Sequence, residues 1–317
     1  MTASLPAFTD YESFRTWRAD PSQWLPIAHD IARSHGLAFP APHVFATGTN
    51  LVLALDEKLI LKIFPPFLRS QFVSERGSLA QLHGQLRIAI PEIVTEGERD
   101  GWPYLVITRL SGELGADAWP SLPEADKECL LAEIGETIAS VQRVPPGPLA
   151  AIEPGWDDFM HRQIAECRAR HTRLGLPQKF LDGVDELLRD AAVLTALDGP
   201  PVILTGEYIP ENFMLSRNGA GWRLSGLIDF GDVRMGRGEY DLLGPSAFMT
   251  AGMPRRVQRL FAGFGYSDAV IGPDLKRRLM ALMLLHHASD PVRHICIKGW
   301  RHKAGNLYEL QDLLWPI

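Results

Sequence analysis

The chain has 317 residues, 46% of them hydrophobic, enough for a full core and long enough for two domains or one two-lobed unit. Its formal net charge is −6 and its Lys and Arg are scattered, which excludes the basic footprint of a nucleic-acid binder. Cys129, Cys167 and Cys296 match no metal or CxxC spacing and read as reduced, mostly buried thiols. Residues 1–10 lack the charged and apolar regions of a secretion signal, and no apolar run approaches the ~20 residues that span a bilayer. The expectation is a cytoplasmic protein with no membrane partner.

Residues 11–37 read as helical, with Trp17, Trp24, Ile27 and Ile31 on an apolar face and Asp20-Pro21-Ser22 as a start signal. The pattern then changes. Leu51 to Leu55 is an apolar run, Asp56-Glu57-Lys58 a turn, and Leu59 to Phe64 a second run, together a hairpin with Lys62 inside its second strand. A helix is expected over 70–86, strands over 88–94 and 104–108, and helices over 126–143, 157–174, 178–197, 255–264, 273–289 and 306–314. Val144-Pro145-Pro146-Gly147-Pro148 breaks the helical run. One β-rich island, 202–230, interrupts the helical part. The pattern predicts a small sheet with a few helices, followed by a mainly helical remainder.

That island carries the chemistry. In Thr205-Gly206-Glu207-Tyr208-Ile209-Pro210-Glu211-Asn212 a carboxylate stands five positions before an asparagine, and an apolar strand then delivers Asp229 into Ile228-Asp229-Phe230-Gly231. This is the spacing of kinase-type phosphoryl transfer: a carboxylate for the substrate hydroxyl, with an asparagine and an aspartate as oxygen ligands for Mg²⁺. Taken singly, Asn212 and Asp229 are ordinary turn residues. Lys62, flanked by Leu61 and Ile63, is costly to bury unless it meets an anion, and Glu75 in the following helix is its natural partner. An edge-strand lysine facing water is the plain alternative. Thr47-Gly48-Thr49-Asn50 is a hairpin turn or a cap for phosphates, and Thr108-Arg109-Leu110 leaves a strand where backbone groups can read a base edge. His286 and His287, expected near the end of a helix, would point about 100° apart and so could not share an ion. Asp241 is expected to order the catalytic segment by accepting backbone hydrogen bonds.

On these segments, together with Trp24-Leu25-Pro26, Leu61-Lys62-Ile63-Phe64, Trp102-Pro103-Tyr104 and Arg143-Val144-Pro145, the chain resembles the aminoglycoside phosphotransferase family. Within that family it looks most like the hygromycin B 7''-O-kinases. The resemblance implies an α+β, bilobal, protein-kinase-like fold: a nucleotide-binding lobe over 1–111 with a small antiparallel sheet and an N-terminal helical extension, and a catalytic and acceptor-binding lobe over 112–317. It also implies ATP and Mg²⁺ as cofactors. Lys62 and Glu75 would serve the phosphates, Thr49 would cap them, the Thr108 carbonyl and Leu110 amide would read adenine, and Asn212 and Asp229 would hold the metal. The acceptor would be a small hydroxylated molecule. The family's catalytic aspartate falls on Glu207 and its histidine on Thr205. Glutamate keeps the charge and adds one methylene, so the implied activity is phosphoryl transfer, with a nucleotide-binding pseudokinase as the alternative.

Overall fold

The computed structural model describes residues 4–46, 48–219 and 221–317. In it the early apolar runs pair into a five-stranded antiparallel sheet of order β1-β2-β3-β5-β4. Its strands are β1 (His43–Phe45), β2 (Leu51–Ala54), β3 (Leu59–Ile63), β4 (Ile93–Arg99) and β5 (Trp102–Thr108). Register pairs Lys62 with Val52 on one side and Leu105 on the other. Side chains alternate across a strand, so Leu51, Leu53, Leu61, Ile63, Trp102, Tyr104 and Val106 share one core with the N-terminal helices. Those helices are α1 (Tyr11–Arg18) and α2 (Leu25–Ser34), which contribute Phe14, Trp24, Ile27 and Ile31. Lys62 alternates with Leu61 and Ile63 and projects from the opposite face. Helix α3 (Arg69–Leu82) buries Glu75, Ser78, Leu79 and Leu82 along one stripe at helical spacing.

The chain divides into two units: Met1–His83 with Ala89–Ser111 and Leu227–Val233, and a larger unit of Gly84–Ile88, Gly112–Gly226 and Arg234–Ile317. In the larger unit, β6 (Glu113–Leu114), β8 (Phe213–Asn218) and β9 (Gly221–Leu227) form one small sheet, and β7 (Val202–Leu204) pairs with β10 (Arg234–Gly236) in another. The rest is helical: α4 (Gly115–Ala118), α5 (Glu124–Gln142), α6 (Trp156–Arg173), α7 (Gln178–Thr195), α8 (Leu243–Phe248), α9 (Pro254–Phe264), α10 (Pro273–Leu285), α11 (Pro291–His294), α12 (Trp300–Lys303) and α13 (Leu307–Leu314). Helix α10 is buried almost all round, from Leu275 to Leu285, as a central core helix must be. The fold is α+β, with an antiparallel sheet in the smaller unit and a mostly helical larger unit.

Three expectations are corrected. The strand predicted over 88–94 instead begins at Ile93 and runs to Arg99, because an edge strand facing solvent on one side is built from polar residues such as Thr95, Glu96 and Glu98 rather than from an apolar run. The helix predicted to 289 stops at Leu285. Of the cysteines only Cys167 is buried. Cys129 falls on the outer face of α5, and Cys296 alternates outward between buried Ile295 and Ile297. Among the described residues no helix is long and apolar enough to cross a membrane.

Helices α5 and α9 touch through glycines. A Cβ on Gly135 would collide with the Leu260 carbonyl oxygen and the Phe264 amide, and one on Gly263 with the Ala132 carbonyl. In an isolated helix Gly→Ala is favourable by about 1 kcal/mol. Here Gly135→Ala should instead destabilise the protein by about 1–3 kcal/mol, the usual cost of overpacking. Urea denaturation checks this: a midpoint equal to or above wild type would mean that the two helices are not in backbone contact.

Candidate functional site

Lys62 is 6% exposed, and its ammonium Nζ lies 2.5 Å from Glu75 Oε2 and 3.2 Å from Asp229 Oδ1. The alternative of a solvated strand lysine is therefore excluded. Burial works against the ammonium, but the carboxylates of Asp229 and Glu75 outweigh it and hold its pKa above the ordinary lysine value. Burial pushes the fully buried Glu75 carboxyl up, and the Lys62 ammonium pulls it back. Burial prevails, raising the carboxyl to about 7, while the ammonium 2.5 Å away opposes the rise. Asp229 follows β9 by two residues and holds φ at +65°, a left-handed conformation uncommon outside glycine, which turns its half-exposed carboxylate toward Lys62. Phe230 behind it is fully buried.

A second chain of contacts runs along α3. Thr49 Oγ1 and Asn50 Nδ2 both donate to Gln71 Oε1, at 3.2 and 3.1 Å, and the Gln71 amide reaches Asp232 at 3.5 Å. Thr47, part of the expected phosphate cap, lies outside the described residues. Gln71 was not singled out from sequence, although it stands one helical turn before Glu75 and so shares its face. Thr108 ends β5, where its N–H donates to the Glu92 carbonyl at 2.9 Å and its hydroxyl accepts the Glu92 N–H at 2.9 Å. The Arg109 N–H donates to the Lys58 carbonyl at 2.7 Å, and Leu110 follows.

In the larger unit the Thr205–Asn212 segment leaves β7 and is held by hydrogen bonds at Thr205, Gly206, Glu207, Ile209 and Asn212. Asp241, 1% exposed, accepts the N–H groups of Thr205 at 3.1 Å and Gly206 at 2.9 Å, the ordering role expected of it. Gly206 takes φ +83°, a turn that suits glycine. The Glu207 carbonyl accepts both the Ile209 N–H and Asn212 Nδ2, each at 3.0 Å. That second bond fixes the Asn212 amide, so its oxygen is the atom left for a ligand, and oxygen is what Mg²⁺ prefers. Asn212 stands immediately before β8 and Asp229 two residues after β9. Each carries oxygen of the kind a hard cation takes, an amide oxygen on Asn212 and a half-exposed carboxylate on Asp229.

The two histidines require a correction. Because α10 ends at Leu285, His286 and His287 are not on the helix and the helical-angle argument does not apply. Their rings lie 4.7 Å apart, tilted by 30°. His286 stacks on Tyr240 at 4.5 Å and contacts the Gly206 carbonyl at 3.1 Å, and burial holds its pKa well below the ordinary histidine value. His287 Nε2 lies 4.0 Å from Glu207 Oε1. Beside Glu207 opens a cavity of about 410 Å³ whose lining includes Glu211, Phe248, Met283, Asp290 and His294. It combines carboxylates with an apolar wall.

The model of the phosphotransferase enzyme family matches residues 45–278. The fold is similar to that of wild-type aminoglycoside 2'-phosphotransferase-IIIa in its GDP complex, with TM-score 0.69 and 17% identity over 92% of this chain and 96% of that one. It is also similar to the streptomycin–ATP ternary complex of APH(2")-IIa, with TM-score 0.57 and 15% identity over 91% and 97%. Macrolide 2'-phosphotransferase MphH from Brachybacterium faecium gives TM-score 0.56 and 17% identity over 81% and 90%. At these identities the likeness establishes the fold. No curated protein matches the chain.

Burial raises the Asp241 carboxyl from 3.8 to about 7, against the pull of the Gly206 and Thr205 N–H groups. A carboxyl whose folded pKa lies above its unfolded value contributes stability that is full below about pH 4 and lost as the pH rises through about 7. Thermal unfolding of wild type should therefore fall across that window relative to Asp241→Asn, by on the order of 4 kcal/mol. Parallel pH profiles for the two proteins would place the ionisation elsewhere.

Proposed function

This chain belongs to the phosphotransferase enzyme family, and we propose that it transfers the γ-phosphoryl group of ATP to a hydroxyl of a small molecule, with an aminoglycoside or aminocyclitol antibiotic as the leading acceptor class. It is a small-molecule phosphotransferase by family; the nucleotide, the metal and the acceptor are the proposed parts. The observation that carries the reading is the buried Lys62 ammonium held between Glu75 and Asp229. A strand lysine kept charged in this way presents a fixed positive charge to phosphate oxygens.

In this reading the smaller unit is the nucleotide lobe and the larger one the acceptor lobe. Lys62, set by Glu75, meets the α- and β-phosphates, Thr49 caps them, and the Thr108 carbonyl and Leu110 amide take the adenine edge. Asn212 and Asp229 would hold Mg²⁺, which when bound neutralises phosphate charge. Glu207 orients the acceptor hydroxyl or takes its proton. Phosphoryl transfer depends mostly on positioning and electrostatics, so a carboxylate one methylene longer serves if its backbone is set accordingly. The clamps on Gly206 and on the Glu207 carbonyl supply such a setting. Nothing in the site favours the non-catalytic alternative, since the lysine, its glutamate, the asparagine and the aspartate are all retained. Glu211 and Asp290 offer negative charge to an amine-bearing acceptor. The use of ATP fits a cytoplasmic location, and an antibiotic acceptor would make the chain a resistance enzyme.

Lys62→Ala and Glu75→Ala should each lower turnover, and the double variant should lose less than the sum of the two, because paired residues couple. Strict additivity of the kcat losses would separate Glu75 from the role of Lys62.

An ADP-release screen with Mg²⁺·ATP across aminoglycosides, hygromycin B, macrolides, sugars and amino alcohols tests the function. Glu207→Gln should keep ATP affinity by calorimetry while turnover drops at least ~10²-fold, the lower range for a lost general base. A wild type that turns over none of these acceptors and is indistinguishable from Glu207→Gln would leave a nucleotide-binding protein.

A further inference from the structure

Thr205 stands where the resemblance expects a histidine, yet the fold brings two histidines to the same segment from 80 residues further along the chain. For His286 the hydrogen bonds determine which ring nitrogen carries the proton. The Ala288 N–H donates to His286 Nδ1 at 3.2 Å, so Nδ1 is an acceptor and Nε2–H donates to the Gly206 carbonyl. The Tyr240 hydroxyl oxygen accepts the His287 backbone N–H at 3.2 Å and lies 3.2 Å from His287 Nδ1. The phenol proton is one the hydroxyl can give to Nδ1. With Nδ1 as that acceptor the ring proton is on Nε2, the atom that lies 4.0 Å from Glu207 Oε1.

We propose that His287 is a positioning residue for Glu207, donating Nε2–H to its carboxylate and so holding it for the acceptor hydroxyl. Glutamate has one more rotatable bond than aspartate, and a longer side chain loses more freedom when it is held in one geometry. A donor fixed on its carboxylate supplies that restraint. The terminal torsion of glutamate is broad, so closing the gap from 4.0 Å to hydrogen-bond distance needs little more than a turn of the carboxylate. Tyr240 serves the pair from both sides, since its ring stacks on His286 while its hydroxyl sets His287. His286 restrains the carbonyl just before Glu207, and His287 restrains the carboxylate itself. The histidine pair thereby does from 286–287 what a histidine at 205 does not do here.

This role rests on Glu207 engaging the acceptor, and two measurements separate the claims. The first needs no acceptor. In protein labelled with ¹⁵N-histidine at pH 8, the His287 ring, identified by its loss in His287→Gln, should carry its proton on Nε2, and Tyr240→Phe should shift it toward a mixture of tautomers. A ring protonated on Nδ1 overturns the proposal.

The second is ADP release from Mg²⁺·ATP with an acceptor found in the screen, or with water where none is found. His287→Phe should lower kcat about 10- to 100-fold, the range for a slightly misplaced group, with KM for ATP unchanged. His287→Gln, which keeps an N–H donor, should recover part of that loss, and neither change should deepen the defect of Glu207→Gln. Should His287→Phe fail to fold, His287→Gln and Tyr240→Phe carry the same comparison. Full kcat in the His287 variants alongside an impaired Glu207→Gln overturns the positioning role and leaves Glu207 standing. Full turnover in Glu207→Gln removes both.

Discussion

A lysine ammonium in the middle of a β-strand is the constraint on which the smaller unit depends. Leu61 and Ile63 take the core face of β3, and strand alternation forces Lys62 onto the other. Burying that charge alone would cost several kcal/mol, so the surrounding structure must supply anions. Glu75 does so from a helix whose same face buries Leu79 and Leu82, and Asp229 does so from a turn strained into positive φ. Replacing either carboxylate with an apolar residue would leave the buried ammonium with one anion instead of two. A pair of this kind is weak evidence for stability.

The larger unit solves a different problem, that of holding an irregular segment still. Thr205–Asn212 has no ladder of its own beyond β7, and its backbone polar groups need partners. Asp241 takes two N–H groups, His286 faces the Gly206 carbonyl, and Ile209 and Asn212 take the Glu207 carbonyl. Tyr240, next to Asp241 in the chain, is fully buried and packs against Trp156, Phe159 and His286. These bonds restrain the loop at both ends and in its middle, as positioning chemistry requires. Sites are often built on loops held by such a scaffold.

The two solutions differ in how far they were legible. Lys62 with Glu75 could be read because both sit on periodic elements close in sequence, where the strand's alternation and the helix's turn say which way each side chain points. Gln71 was readable by the same rule, four residues before Glu75. His286 and His287 were misread because the helix was extended past Leu285, and an angle argument valid on a helix fails beyond its end. The edge strand Ile93–Arg99 was displaced because half its residues are polar and pair through backbone alone.

The sequence by itself determined the α+β order of elements, the carboxylate-to-asparagine spacing and the lysine with its helix partner. Each of these follows from local periodicity or from residue types at fixed offsets. Tertiary structure alone decided that Asp229 meets Lys62 across 167 positions and that a histidine from 287 faces Glu207. Contacts at such separations are set by how helices and sheets pack, and no local pattern encodes that packing.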